Sequence, residues 1–170
     1  TSKTKAIMPV HWGGASPDMK SIMDISIKYN IFVIEDACMG IGASINGKSP
    51  GTFGKVNAFS MHPLKSLNVM GDGGMVVTDD DDLAIWMKKY RNHGMTDRDH
   101  IEFWGVNLRL QPLQAIVASH RLDELNYTID KRNKNAKYLD ENLVNISKNI
   151  VIPKRILGNV ETFALYMALF

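Results

Sequence analysis

Cysteine is almost missing from this chain: its 170 residues contain one, Cys38. A lone thiol excludes an internal disulfide and any multi-cysteine metal site, and it fits a reducing compartment such as the cytoplasm. Charge of one sign is equally scarce. Twenty Lys and Arg against 18 Asp and Glu leave a net +2, too little to argue for nucleic acid as a partner. No apolar run approaches the roughly 20 residues that a membrane span needs, and Thr1–Pro9 lacks the layout of a signal peptide. Repeats and low-complexity tracts are absent as well. What remains is ordinary globular composition, 45% apolar and 22% charged, which excludes disorder and collagen-like structure. The length suits one domain able to bury roughly 70% of its unfolded surface.

Both ends qualify that expectation. A strand-like run, Lys5–Val10, begins almost with the chain. The last ten residues, Glu161–Phe170, alternate, with Phe163, Leu165, Met167 and Leu169 on one face. The sequence therefore reads as part of a longer protein.

Between the ends the pattern is αβ. Ser16 and Pro17 are placed to open a helix, with Met19, Ile22, Met23 and Ile27 as its apolar stripe and Asn30 near its end. The continuous run Ile31–Ile34 predicts a strand buried on both faces, as in a parallel sheet. Asn46-Gly47 predicts a small hairpin within Ala43–Lys48. Val56–Met61 and Met75–Thr78 read as further strands. Thr78 or Asp79 is placed to cap a helix to about Asn92, with Asp80–Asp82 in its first turn and Lys88, Lys89 and Arg91 near its end. That charge order complements the helix dipole, so the aspartate run implies no metal. Pro112 opens a helical region expected to continue to about Leu143 as one long, bridging helix. The domain division that follows is 1–120, a bridge at 121–150, and the start of a second, small domain at 151–170.

Gly42–Ser49 satisfies the spacing of a phosphate-binding loop. That chemistry needs a helix to start at the lysine, and Pro50 and Gly51 forbid one, so the match is a decoy. Asp36 and Lys65 carry more. Each follows a strand, and in a parallel sheet both stand at the strands' C-terminal edge, where open α/β sheets bind ligands. An ion pair would be the bland explanation. Ser60 and His62 precede Lys65, however, and Gly71, Gly73 and Gly74 follow it. An amine able to form a Schiff base and a carboxylate able to keep a pyridine nitrogen protonated are the groups that pyridoxal phosphate (PLP) requires.

Ile34-Glu-Asp-Ala-Cys38, Gly51-Thr-Phe-Gly54, Ser60-Met-His-Pro-Leu-Lys65, Gly71-Asp-Gly-Gly-Met-Val-Val77, Arg91-Asn-His-Gly94 and the run Gly105–Ala115, in that order, resemble the DegT/DnrJ/EryC1/StrS family. Its members are PLP-dependent aminotransferases acting on nucleotide-linked keto sugars. The resemblance runs from about Lys5 to Leu143. It implies the large domain of a PLP-dependent transferase, a mostly parallel sheet with helices on both faces, followed by the start of a small α/β domain. It implies ping-pong transfer of an amino group from an amino acid, by family analogy glutamate, to a keto sugar. Lys65 is then the Schiff-base lysine, Asp36 the pyridine-nitrogen partner and Ser60 a phosphate ligand. Asn107 reaches the cofactor phosphate of the neighbouring subunit, which makes the protein a homodimer with a shared site. His11 and His62 are candidate cofactor or substrate contacts, or packing and surface histidines. Met39 stands where the family often has a glutamine facing the cofactor; a thioether accepts hydrogen bonds poorly, so that contact is replaced or lost. A non-catalytic PLP- or sugar-binding protein of the same fold, or an inactive structural fragment, is the competing expectation.

Overall fold

The computed structural model describes residues 1–170. Its main sheet takes four strands in the order β1-β2-β4-β5: β1 (Ala6–Ile7), β2 (Phe32–Asp36), β4 (Val56–Ser60) and β5 (Gly74–Val77). The first three run parallel and β5 closes the edge antiparallel to β4. The α/β class with a mostly parallel sheet is as the sequence implies. Helix α1 (Met19–Tyr29) carries the crossover from β1 to β2, the connection that parallel neighbours require.

Helix boundaries differ from expectation by a residue or two, each for a local reason. Asp18, not Ser16, caps α1, accepting from the Ser21 N–H at 3.1 Å; Ser16 is engaged by His11 instead. Asn30 ends α1 in the left-handed region, φ 48°. Asp80, rather than Thr78 or Asp79, caps α2 (Asp81–Tyr90), accepting from Leu83 N–H at 2.9 Å and pairing with Lys55 at 3.0 Å. The expected long helix is two: α3 (Pro112–Asp123) and α4 (Leu125–Leu143), broken at Glu124. The break turns Leu125 onto a core formed by Met61, Leu67 and Val69 with Ile41, Leu110 and Ala118. No helix is long and apolar enough to cross a membrane.

The small hairpin forms as expected. Ile45 and Lys48 bridge around Asn46 and Gly47, both at positive φ, and β3 (Ser44–Ile45) pairs antiparallel with β6 (Asn159–Val160). The terminal residues are not the expected strand. Residues 161–170 run irregularly against the N-terminal half, with a single bridge between Leu169 and Val151. Thr162 is wholly buried. Its hydroxyl donates to Met39 O at 2.7 Å and its N–H to Gly14 O at 3.1 Å. Gly14, at φ 96°, leaves the space: a Cβ there would sit 2.0 Å from Thr162 Oγ1.

Strand β2 is buried on one face only. Val33 and Glu35 are enclosed while Phe32 is 57% exposed. The chain as a whole exposes 11695 Å², against about 8,400 Å² for a compact monomer of its mass. The deep burial expected from length is not reached.

Candidate functional site

Parallel pairing decides which residues meet. Asp36 lies beside Ala58 in the β2–β4 register, so the C-terminal ends of both strands open on one edge. Asp36 leaves β2 there, and Ser60 and Lys65 leave β4 there. Because β5 runs the other way, its first residue, Gly74, pairs with Ser60, and the glycine cluster arrives at that same edge. Gln114, on α3, holds the cluster by donating to Asp72 O at 2.9 Å.

At this edge lies a cleft of about 460 Å³, within the usual range of roughly 300–1,000 Å³ for small-molecule sites. Ser60, His62, Lys65 and Asp72 give it a polar side; Met39, Leu64, Ala164 and Leu165 give it an apolar one. Lys65 is half-buried, its N–H donating to His62 O at 2.8 Å. No side-chain hydrogen bond or ion pair engages its ammonium. Ser60 Oγ accepts from His62 N–H at 3.3 Å. The His62 ring is exposed, and its Nδ1 accepts from Leu64 N–H at 3.2 Å, which assigns Nδ1 as the unprotonated nitrogen.

Asp36 is half-buried at the same sheet edge but outside the cleft lining, and it accepts from Cys38 N–H at 3.1 Å. The Cys38 thiol reads out the local field. Burial pushes its pKa up to about 11, the Asp36 carboxylate adds to the rise, and the Lys65 ammonium opposes it. One sulfur thus lies within electrostatic reach of both residues that the sequence singled out.

Met39 lines the cleft, with its thioether turned to the backbone: Sδ accepts from Gly13 N–H at 3.2 Å. Asn107 is exposed and lies outside the cleft lining, its Oδ1 accepting from Arg109 Nε at 3.0 Å.

Of the two histidines left open by the sequence, His11 takes the packing role. It is fully buried, with Nδ1 3.0 Å from Ser16 Oγ and Nε2 2.9 Å from Glu35 Oε2. With both nitrogens engaged, it has none left for a ligand. Glu35, also fully buried, escaped the sequence reading. Its carboxylate accepts from the N–H groups of Gly51, Phe53 and Gly54 at 2.8, 2.6 and 2.8 Å. Burial opposes its ionisation, yet the His11 bond and these three donors hold its pKa below the ordinary value. The available signal was strand alternation, which turns Glu35 away from Asp36 and into the protein. Asp72, in the middle of the glycine cluster, was likewise missed, as were Ala164 and Leu165, which reach the cleft only through the folding-back of the terminal segment.

Residues 1–169 match the model of the DegT/DnrJ/EryC1/StrS aminotransferase family. A UDP-N-acetyl-3-dehydro-alpha-D-glucosamine 3-aminotransferase of Acidithiobacillus ferrooxidans is 41% identical over 146 residues, 86% of this chain and 40% of that protein. A protein of Geobacillus stearothermophilus named a pleiotropic regulatory protein is 37% identical over 170 residues, 98% of this chain and 45% of its own length. Among solved structures, a DegT DnrJ EryC1 StrS aminotransferase from Brucella abortus superposes with a TM-score of 0.90 at 31% identity, over 96% of this chain and 43% of that one. Ntda from Bacillus subtilis, with bound cofactor PMP, gives 0.86 at 28% identity, over 98% and 38%. The chain therefore spans less than half the length of these relatives.

Proposed function

The chain belongs to the DegT/DnrJ/EryC1/StrS aminotransferase family, and on that premise we propose that its parent protein moves an amino group from an amino acid, glutamate, to the keto group of a nucleotide-linked sugar. The observation that carries this is the placement of Asp36, Ser60 and Lys65 at one sheet edge, where Ser60 and Lys65 line a cleft. In the parent protein the unit to about residue 120 holds the cofactor, 121–150 bridges, and 151–170 begins a small domain. A cytoplasmic setting fits the single free thiol.

The donor set fits PLP. Lys65 and Ser60 line a cleft of sufficient volume, and the Asp36 carboxylate lies at the same sheet edge, with Cys38 feeling both its charge and that of Lys65. Glycine at 74 lets β5 come in close against β4 at this edge: a Cβ there would meet Phe59 O at 2.8 Å. When bound, PLP supplies a carbonyl that takes up the donor's nitrogen and a ring that withdraws electrons from the reacting carbon. Lys65 would hold that carbonyl and, once displaced by the donor amine, move the proton on and off the substrate carbon. Asp36 would keep the ring nitrogen protonated, and Ser60 Oγ would donate to the phosphate. Asn107, exposed and outside its own cleft, keeps its Oδ1 on Arg109 and turns its amide surface to where a second subunit could stand, which supports a homodimer with a shared site. With Met39 committed to Gly13, the glutamine contact usual in the family has no counterpart at this position.

A second reading, ligand binding without turnover, draws on the relative named a regulatory protein. Lys65→Ala in the full-length protein separates the two. Loss of amino transfer from glutamate to a nucleotide-linked keto sugar, with PLP still bound non-covalently, supports the enzyme. A protein that shows no transfer before the substitution supports the regulator.

A further inference from the structure

We propose that Glu35 and His11 are a positioning pair for the cleft: through the backbone they fix where Asp36 and Lys65 stand relative to each other. The inference rests on the reading of those two residues as the cofactor's partners.

Three chain segments meet at the Glu35 carboxylate. The first is the Pro9–Ser16 segment. His11 donates its Nε2–H to Glu35 at 2.9 Å, since a carboxylate only accepts, and its Nδ1 lies 3.0 Å from the Ser16 hydroxyl. The same residue's backbone N–H donates to Asp36 O at 3.0 Å, while Asp36 N–H donates to Pro9 O at 2.9 Å. His11 thus clasps β2 twice, at the side chain of residue 35 and at the backbone of residue 36. The second segment is β2 itself. The third is the 51–54 loop, whose three N–H groups converge on the two Glu35 oxygens in the manner of a backbone anion nest. That loop feeds directly into β4, and Lys55 N–H adds a bond to Val33 O at 2.8 Å. The loop geometry is committed to this carboxylate. Gly51 sits at φ 81°, where a Cβ would strike the Phe59 ring at 2.0 Å, and a Cβ on Gly54 would meet Val33 O at 2.7 Å. Glu35 therefore sets the height of β4 against β2, and with it the placement of Ser60 and Lys65 opposite Asp36.

The atom order Ser16–His11–Glu35 also matches a nucleophile relay. His11 is wholly enclosed and the carboxylate is saturated by backbone donors, so the order serves placement and not chemistry on a substrate.

Cys38 gives a cofactor-free readout, because its thiol senses Asp36 and Lys65 together. The experiment is the pH profile of iodoacetamide alkylation of this chain, with circular dichroism as the folding control. The unaltered chain should titrate at about 11. In a folded Glu35→Gln variant the midpoint should shift, because Asp36 raises it, Lys65 lowers it, and the substitution changes where the two stand. Ser16→Ala, which removes only the outer hydrogen bond, should shift it less and in the same direction, and serves if Glu35→Gln does not fold. A folded variant with an unchanged midpoint overturns the proposal and leaves Glu35 an anchor of the loop alone. Failure of the full-length protein to take PLP at Lys65 would count against the aminotransferase reading and leaves the thiol result standing.

Discussion

Glu35 and Asp36 are chemically similar and adjacent in sequence, and the strand between them sends one inward and one to the ligand edge. A fully enclosed carboxylate survives because it receives four hydrogen bonds, from His11, Gly51, Phe53 and Gly54. Removing one side of such an arrangement leaves buried donors without a partner. Glu35→Ala should therefore destabilise the chain by about 3 kcal/mol or more, read from urea unfolding. The pH dependence follows from the sign of the shift. Glu35 ionises more readily folded than its ordinary 4.5, so its contribution is complete above that value. It declines as pH falls below 4.5 and is gone beneath the folded pKa. Stability measured from pH 6 downward should fall through this range, and the fall should flatten in Glu35→Gln. At this scale the positions of Asp36, Ser60 and Lys65 at one sheet edge were legible in the sequence, because each follows a strand and the two strands run parallel. It was silent on Glu35 and Asp72, whose roles depend on which backbone groups other segments bring to them.

Elements were legible where one local rule dominates and misplaced where a distant partner competes. Asn46-Gly47 makes its turn regardless of surroundings. Ser16, a sound helix cap by local rules, is taken by His11, and the cap moves to Asp18. Helical periodicity across Glu124 concealed the break between α3 and α4, beside which Leu125 packs on the Met61, Leu67 and Val69 core. The terminal segment shows the same conflict most clearly. Its alternation suggested a strand, yet Phe163 adopts φ 45°, and Arg132 and Asn133 on α4 hold Phe163 O and Glu161 O, each at 2.9 Å. Arg155 adds a two-pronged pair to Asp140, at 3.0 and 3.1 Å. Thr162→Val keeps the shape but removes the hydroxyl from buried Met39 O, and should cost about 1–2 kcal/mol in urea unfolding. Gly14→Ala should cost more, since a Cβ there displaces Thr162. Equal, negligible effects would show that the segment does not depend on this seat.

For the whole molecule the decisive quantity is exposed surface. The excess of about 3,300 Å² over a compact monomer includes large apolar side chains, with Trp104 at 97%, Leu113 at 77% and Ile116 at 66% exposure. Surface of that kind is normally covered by more protein. The isolated chain should therefore associate in a concentration-dependent way on sedimentation and bind an apolar dye. A monomer at every concentration, with no dye bound, would contradict that expectation. Length and composition alone could not reveal this, because they count apolar residues without saying which of them find a partner.

The central claim is that Lys65 is the amine of a PLP site whose other groups stand on the same sheet edge. Its most direct test is borohydride reduction in the presence of PLP, followed by peptide mapping, on the full-length protein and on its Lys65→Ala variant. The account predicts a single label on the peptide containing Lys65, lost in the variant and weakened by Asp36→Ala. Labelling scattered over the chain's lysines, unchanged by Lys65→Ala, would contradict it.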